Sequence, residues 1–125
     1  IDKYSKLCGD IISQKNMRYH EKYENLINTV YLNDLNKNLH ELRGKWGYFY
    51  ECKINNLNQI TKYINNYYQT LTYFGLDKKN LKKFILNKKP SGIDRIVPIG
   101  QALDMSFFWD GFDLNKILSR VVDIK

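Results

Sequence analysis

The stretch Gln69–Ile99, QTLTYFGLDKKNLKKFILNKKPSGIDRIVPI, changes hydrophobic period twice and thereby decides the fold. Gln69 to Gly75 is dense in Thr and aromatic residues, which fit the pleated, half-buried surface of a strand. Asp77 then offers an N-cap to a helix carrying Leu81, Phe84 and Ile85 on one face. Pro90-Ser91-Gly92 stops that helix, and Ile93–Ile99 reads as a second strand, ended by Pro98 and Gly100. Two strands joined by a helix pair in parallel through a right-handed crossover.

Upstream, Trp46, Tyr48, Tyr50, Cys52 and Ile54 alternate with Lys45, Gly47, Phe49, Glu51 and Lys53, the period-2 pattern of another strand. Asn55-Asn56 breaks it, and Leu57, Ile60, Ile64 and Tyr67 share a helical face. The order from Gly44 onward is therefore strand, helix, strand, helix, strand. The expected class is α/β, a parallel β-α-β-α-β unit with cover on both faces. The first 43 residues read as helical. Tyr4, Leu7, Cys8, Ile11 and Ile12 form one stripe, interrupted by Gly9, and Tyr19, Tyr23, Leu26, Ile27, Val30 and Tyr31 form a second. Between Leu32 and Leu42 the period is lost, and Asn33, Asn36 and Asn38 favour turns. After Gly111, Asp113 caps a last helix with Leu114, Ile117, Leu118 and Val121 on one face, and Val122 to Ile124 closes as an extended segment. Residues 1–43 and 44–125 are the two expected segments of one structural unit.

The 125 residues suit one domain, and 14% aromatic content supplies the apolar area that disordered chains lack. No apolar run approaches the ~20 residues of a membrane span. Two cysteines are too few for a disulfide scaffold, and unmotifed thiols point to a reducing cytoplasm. A net charge of +7 invites a nucleic-acid reading. The charge is spread, however, in a chain rich in Lys, Asn, Ile and Tyr, and the dense run Lys78–Lys89 reads as a solvated helix face. Neither a GxGxxG nor a GxxxxGK[ST] pattern is present, which argues against a dedicated nucleotide site in this chain. Cys8, Cys52, His20 and His40 lack zinc-ligand spacing. Both cysteines lie on apolar faces, where a thiol behaves as a small hydrophobe, and both histidines read as surface residues.

The densest local signal is GIDRIVPIGQALDMSFFWDGFDLNKILSRVVDIK, from Gly92 to Lys125. Its Trp109-Asp110-Gly111 turn braces a loop ahead of the last helix, a setting in which rigid elements hold functional loops. Together with Gly44-Lys45-Trp46-Gly47-Tyr48-Phe49-Tyr50, the helix at 55–66, and Gln69-Thr70-Leu71-Thr72-Tyr73-Phe74, this segment resembles the C-terminal part of the LuxC-type fatty acyl-CoA reductases of the aldehyde dehydrogenase-like superfamily. The resemblance runs from about Gly44 to Ile124 and is best over Gly92–Gly111.

That resemblance implies an oxidoreductase that takes a fatty acyl thioester onto a catalytic cysteine and reduces it to an aldehyde with NADPH. It places the cysteine and most of the cofactor site upstream of Ile1, so no catalytic residue is expected in this chain. The partners it implies are the upstream remainder of the same enzyme, a fatty acyl-CoA substrate and further copies in a cytoplasmic homo-oligomer. The opening residue is Ile1 rather than Met, and a fragment of such an enzyme is expected. Glu41, three residues before Gly44, matches the superfamily's ribose-contacting Glu, although the usual Pro after the glycine is Lys45 here. Asp94, Arg95, Trp109, Asp110 and Gly111 are the expected pocket-lining or loop-fixing residues, with Asp94 and Arg95 paired to each other or to Asp110. The rival is a small basic module, either a scaffold subunit or one binding single-stranded nucleic acid through Lys78–Lys89 with Tyr67, Tyr68, Tyr73 and Phe84.

Overall fold

The computed structural model describes residues 1–35 and 38–125, so Asn36, expected in a turn, lies outside the described residues. Two compact units divide the chain, Ile1–Tyr63 and Ile64–Lys125. Both mix helix and strand.

The first unit opens with helix α1, Asp2–Ser13, which continues through Gly9. Its stripe is not buried as a whole. Leu7 and Asp10 face inward and Cys8 is half-buried, while Tyr4, Ile11 and Ile12 are exposed. The second expected helix is a β-hairpin instead, with strands β1 (Met17–Tyr23) and β2 (Ile27–Leu32). The antiparallel register places Tyr19 opposite Tyr31 and Tyr23 opposite Ile27. In β2 the burial alternates, with Asn28, Val30 and Leu32 inward, a period that outweighs the helical spacing of the tyrosines. Strand β3, Tyr48–Cys52, adds to β2 in parallel and turns Tyr48, Tyr50 and Cys52 inward, as the alternation predicts. Trp46 lies before the strand, in a turn, and is exposed. Leu7, Val30, Leu32 and Tyr48 form the core cluster, and each such aliphatic side chain contributes about 1.5–3 kcal/mol by leaving water.

Leu57–Tyr63 forms 3-10 turns rather than an α-helix. Its flanking side chains compete with the helical backbone: Gln59 Oε1 accepts from the Asn55 amide at 2.9 Å, and Asn56 Oδ1 from the Asn58 amide at 2.8 Å. A second 3-10 turn, Leu39–Glu41, lies in the stretch where the sequence loses its period.

The second unit contains the strand–helix–strand unit of the opening stretch. Strands β4 (Thr70–Tyr73) and β5 (Arg95–Pro98) pair in parallel, Thr70 opposite Arg95. Between them runs helix α2, Lys78–Lys88, capped by Asp77 Oδ1 on the Lys79 amide at 3.2 Å, with Leu81 and Phe84 buried. The three expected parallel strands do not share one sheet: β3 belongs to the β1–β2–β3 sheet and β4–β5 form another. Strands β6 (Phe108–Trp109) and β7 (Phe112–Asp113) make a short hairpin. Asp113 Oδ1 accepts from the Asn115 amide at 3.1 Å and starts helix α3, Leu114–Leu118. That helix ends before Val121, and Val122–Ile124 forms no strand. Among the described residues no helix is long and apolar enough to cross a membrane.

Candidate functional site

Arg95 organises the segment of strongest sequence signal. At the start of β5 its backbone is fixed when the Asp94 and Arg95 amides both donate to the Gln69 carbonyl, at 2.9 and 3.2 Å. Its guanidinium then donates to the carbonyls of Ala102 at 2.5 Å, Gln101 at 3.4 Å and Asp104. The same group lies over the Trp109 ring, 4.5 Å from its centroid, a distance at which a cation is attracted to the ring face. A planar fork of donors suits a loop that presents successive carbonyls. The expected pairing of Arg95 with Asp94 or Asp110 is thus replaced by carbonyls and a ring. Among the described residues the ion pairs are Lys6–Asp10 and Lys116–Asp113.

Trp109 pairs with Phe112 across a two-residue turn made by Asp110, φ 51°, and Gly111, φ 81°. Two successive positive φ values are the signature of the tight hairpin turn that favours Asp-Gly, because Asp tolerates this region and Gly has no Cβ to hinder it. A Cβ at Gly111 would stand 3.1 Å from Asp94 Oδ1, so the Asp94 carboxylate sits against the turn. Asp94, Arg95, Trp109, Asp110 and Gly111 are therefore one local assembly, built from the start of β5, a carbonyl-rich loop and the β6–β7 hairpin.

Glu41 belongs to the first unit, at the end of its 3-10 turn, and is exposed. A single exposed carboxylate can accept from a ribose hydroxyl but supplies nothing for a diphosphate or a nicotinamide, so Glu41 by itself is not a dinucleotide site. Cys52 is half-buried, and loss of hydration, aided by the Asp34 charge, raises its pKa and keeps the thiol protonated. Of the aromatics near Lys78–Lys89, Phe84 is buried under α2 and Tyr68 and Tyr73 are half-buried, which removes most of the stacking platform a nucleic-acid reading needs.

Sequence reasoning missed a polar cluster in the first unit. Asp10, buried on α1, accepts the hydroxyls of Tyr48 and Tyr50 at 2.7 and 2.6 Å. Lys6, one turn earlier, lies 3.9 Å from the same carboxylate and within 5.4 Å of both ring centroids. Burial, and then the Asp10 hydrogen bonds, push both phenol pKa values well above 10.0, so the hydroxyls remain donors. The signal was available: Asp10 shares a helical face with Leu7, and Tyr48 and Tyr50 share the inward face of β3.

Compared with known protein families, with curated proteins and with solved structures, the chain finds no match in any of the three.

Proposed function

We propose that the chain is the C-terminal part of a LuxC-type acyl-CoA reductase, in which it completes the catalytic domain, walls the acyl or cofactor pocket and contributes contacts between copies. The observation that carries this reading is the Arg95 assembly. The residues of strongest resemblance, Gly92–Gly111, are the ones that the Arg95 guanidinium and the Asp110-Gly111 turn tie together. A second feature points the same way. Leu103, Met105, Phe107, Phe108, Leu118 and Val121 are all exposed, and apolar residues gathered in one segment mark a surface that another structure covers. The β4–β5 sheet has only two strands, and parallel strands are found with neighbours and cover.

In this reading the nucleophilic cysteine, the NADPH site and most of the fatty acyl-CoA site lie upstream, in a cytoplasmic homo-oligomer. NADPH would supply the hydride that converts the acyl thioester to an aldehyde. What this chain supplies is placement: Arg95 fixes the 101–104 loop, and the Asp110-Gly111 turn fixes Trp109. In the full-length enzyme, Asp110→Ala lowers reductase activity while leaving the oligomeric state intact. Unchanged kinetics would remove this turn from the site.

A further inference from the structure

The first unit holds a cationic cleft that the reductase reading does not use, and the inference below stands without that reading. A cavity of about 350 Å³ is lined by Lys3, Lys6, Arg43 and Lys45 together with Trp46, Tyr48 and the carboxylate of Asp2. Glu41 is not among its lining residues. Several of the cations are held by fixed partners. Lys3 Nζ donates to the Asn25 and Leu26 carbonyls at 2.9 and 2.7 Å, which anchor it without cancelling its charge. Arg43 Nε donates to the His40 carbonyl at 2.9 Å, leaving its two terminal nitrogens for a ligand. Lys6 is matched by Asp10. Lys3, Arg43 and Lys45 then face Asp2 alone, an excess of positive charge suited to a phosphate or diphosphate.

Trp46 supplies the second, independent observation. Lys45, Trp46, Gly47 and Tyr48 form a tight turn closed by the Tyr48 amide on the Lys45 carbonyl at 3.1 Å. Trp46 has φ 56° and Gly47 φ 81°, nearly the values of Asp110 and Gly111. The turn at 110–111 uses Asp, which tolerates this conformation. The turn at 46–47 uses a bulky aromatic, which does not, and strain of this kind persists where function requires it. The strained indole is 82% exposed. It lines the cationic cleft and also a neighbouring cavity of about 360 Å³ that includes Tyr4 and Lys22. Gly47 is held in place as well, since a Cβ there would collide with the Leu26 carbonyl that anchors Lys3.

From this geometry we infer that the cleft binds a phosphorylated compound with a planar ring, its phosphates on Arg43, Lys45 and Lys3 and its ring against Trp46. Side-chain cations do here what a glycine loop does elsewhere, so the lack of such a loop is no obstacle. The test uses ADP as the probe and a Trp109→Phe background, which leaves Trp46 as the one reporter of the two tryptophans. ADP is expected to change Trp46 emission saturably. Pyrophosphate competes more weakly, and adenosine binds at least about tenfold more weakly than ADP, because it lacks the charge-assisted contacts. Arg43→Glu with Lys45→Glu, both at exposed positions, removes ADP binding while the far-ultraviolet circular dichroism is unchanged. Trp46→Gly, followed by calorimetry, relieves the turn and raises the melting temperature yet weakens ADP binding. The inference is overturned if no saturable response occurs, if adenosine binds as tightly as ADP, or if the charge reversal leaves affinity intact. Pyrophosphate binding as tightly as ADP would overturn the role given to Trp46.

Discussion

At the scale of single residues, Asp10 shows how much one buried side chain decides. It is 6% exposed and satisfies two phenol hydroxyls from the strand beneath it. Asp10→Ala strands both hydroxyls and removes the counter-charge of Lys6. Removal of a buried acceptor of this kind costs about 2–4 kcal/mol, measurable by urea denaturation. Asp10→Asn keeps one acceptor and is expected to cost less. The pH dependence follows from the raised phenol pKa values of Tyr48 and Tyr50. Below the unfolded value of 10.0 both states hold the phenol protons, and the stabilisation is fully present. Above it the unfolded chain gives up these protons while the folded one keeps them, so stability falls as pH rises. Thermal melts between pH 8 and 12 should show that fall, and Asp10→Asn should flatten it; a wild-type curve level through this window would contradict the arrangement. Asp110 and Trp46 make the complementary point about backbone. Nearly equal positive φ values are met once by a residue suited to them and once by one that is not.

At the scale of elements, the sequence was most legible where period and caps agree. Asp77, the inward Leu81 and Phe84, and the flanking Thr- and Ile-rich runs all point to one strand–helix–strand unit, and that unit is present. The alternation from Tyr48 to Cys52 was equally plain. The hairpin was not. Tyr19, Tyr23, Leu26, Ile27, Val30 and Tyr31 have helical spacing, yet they are divided between two strands and the turn that joins them. Tyr19 and Tyr31 are in fact stacked neighbours on adjacent strands, 4.2 Å between ring centroids. The β-branched Ile27, Thr29 and Val30 carried the better signal. The Leu57–Tyr63 turns escaped because Asn and Gln side chains captured backbone amides that an α-helix needs. Within the candidate site, the identity of the key residues was readable but Arg95's partners were not, since backbone carbonyls leave no mark in a sequence. Arg95→Lys supplies a cation without the fork, and amide hydrogen exchange across 101–109 should quicken about tenfold or more, at little cost to α2. Unaltered exchange would show that the loop holds itself.

At the scale of the whole molecule, charge and exposed apolar surface point in different directions. The net charge of +7 is spread over the chain, and the cleft beside Trp46 sets several of its cations around a ligand-sized cavity. Exposed large apolar residues occur in both units, and the longest succession of them, from Ile99 to Ile124, includes the segment that Arg95 organises. On the proposed reading, the rest of the reductase covers these residues. For the proposed reductase, the decisive measurement is aldehyde formation from a fatty acyl-CoA and NADPH by the full polypeptide, of which the chain would be the C-terminal part, beside the chain alone. The full polypeptide is expected to release aldehyde and CoA in step with NADPH oxidation, and the chain alone to release neither. A full polypeptide that forms no aldehyde from any fatty acyl-CoA, or turnover by the isolated chain, would contradict the account.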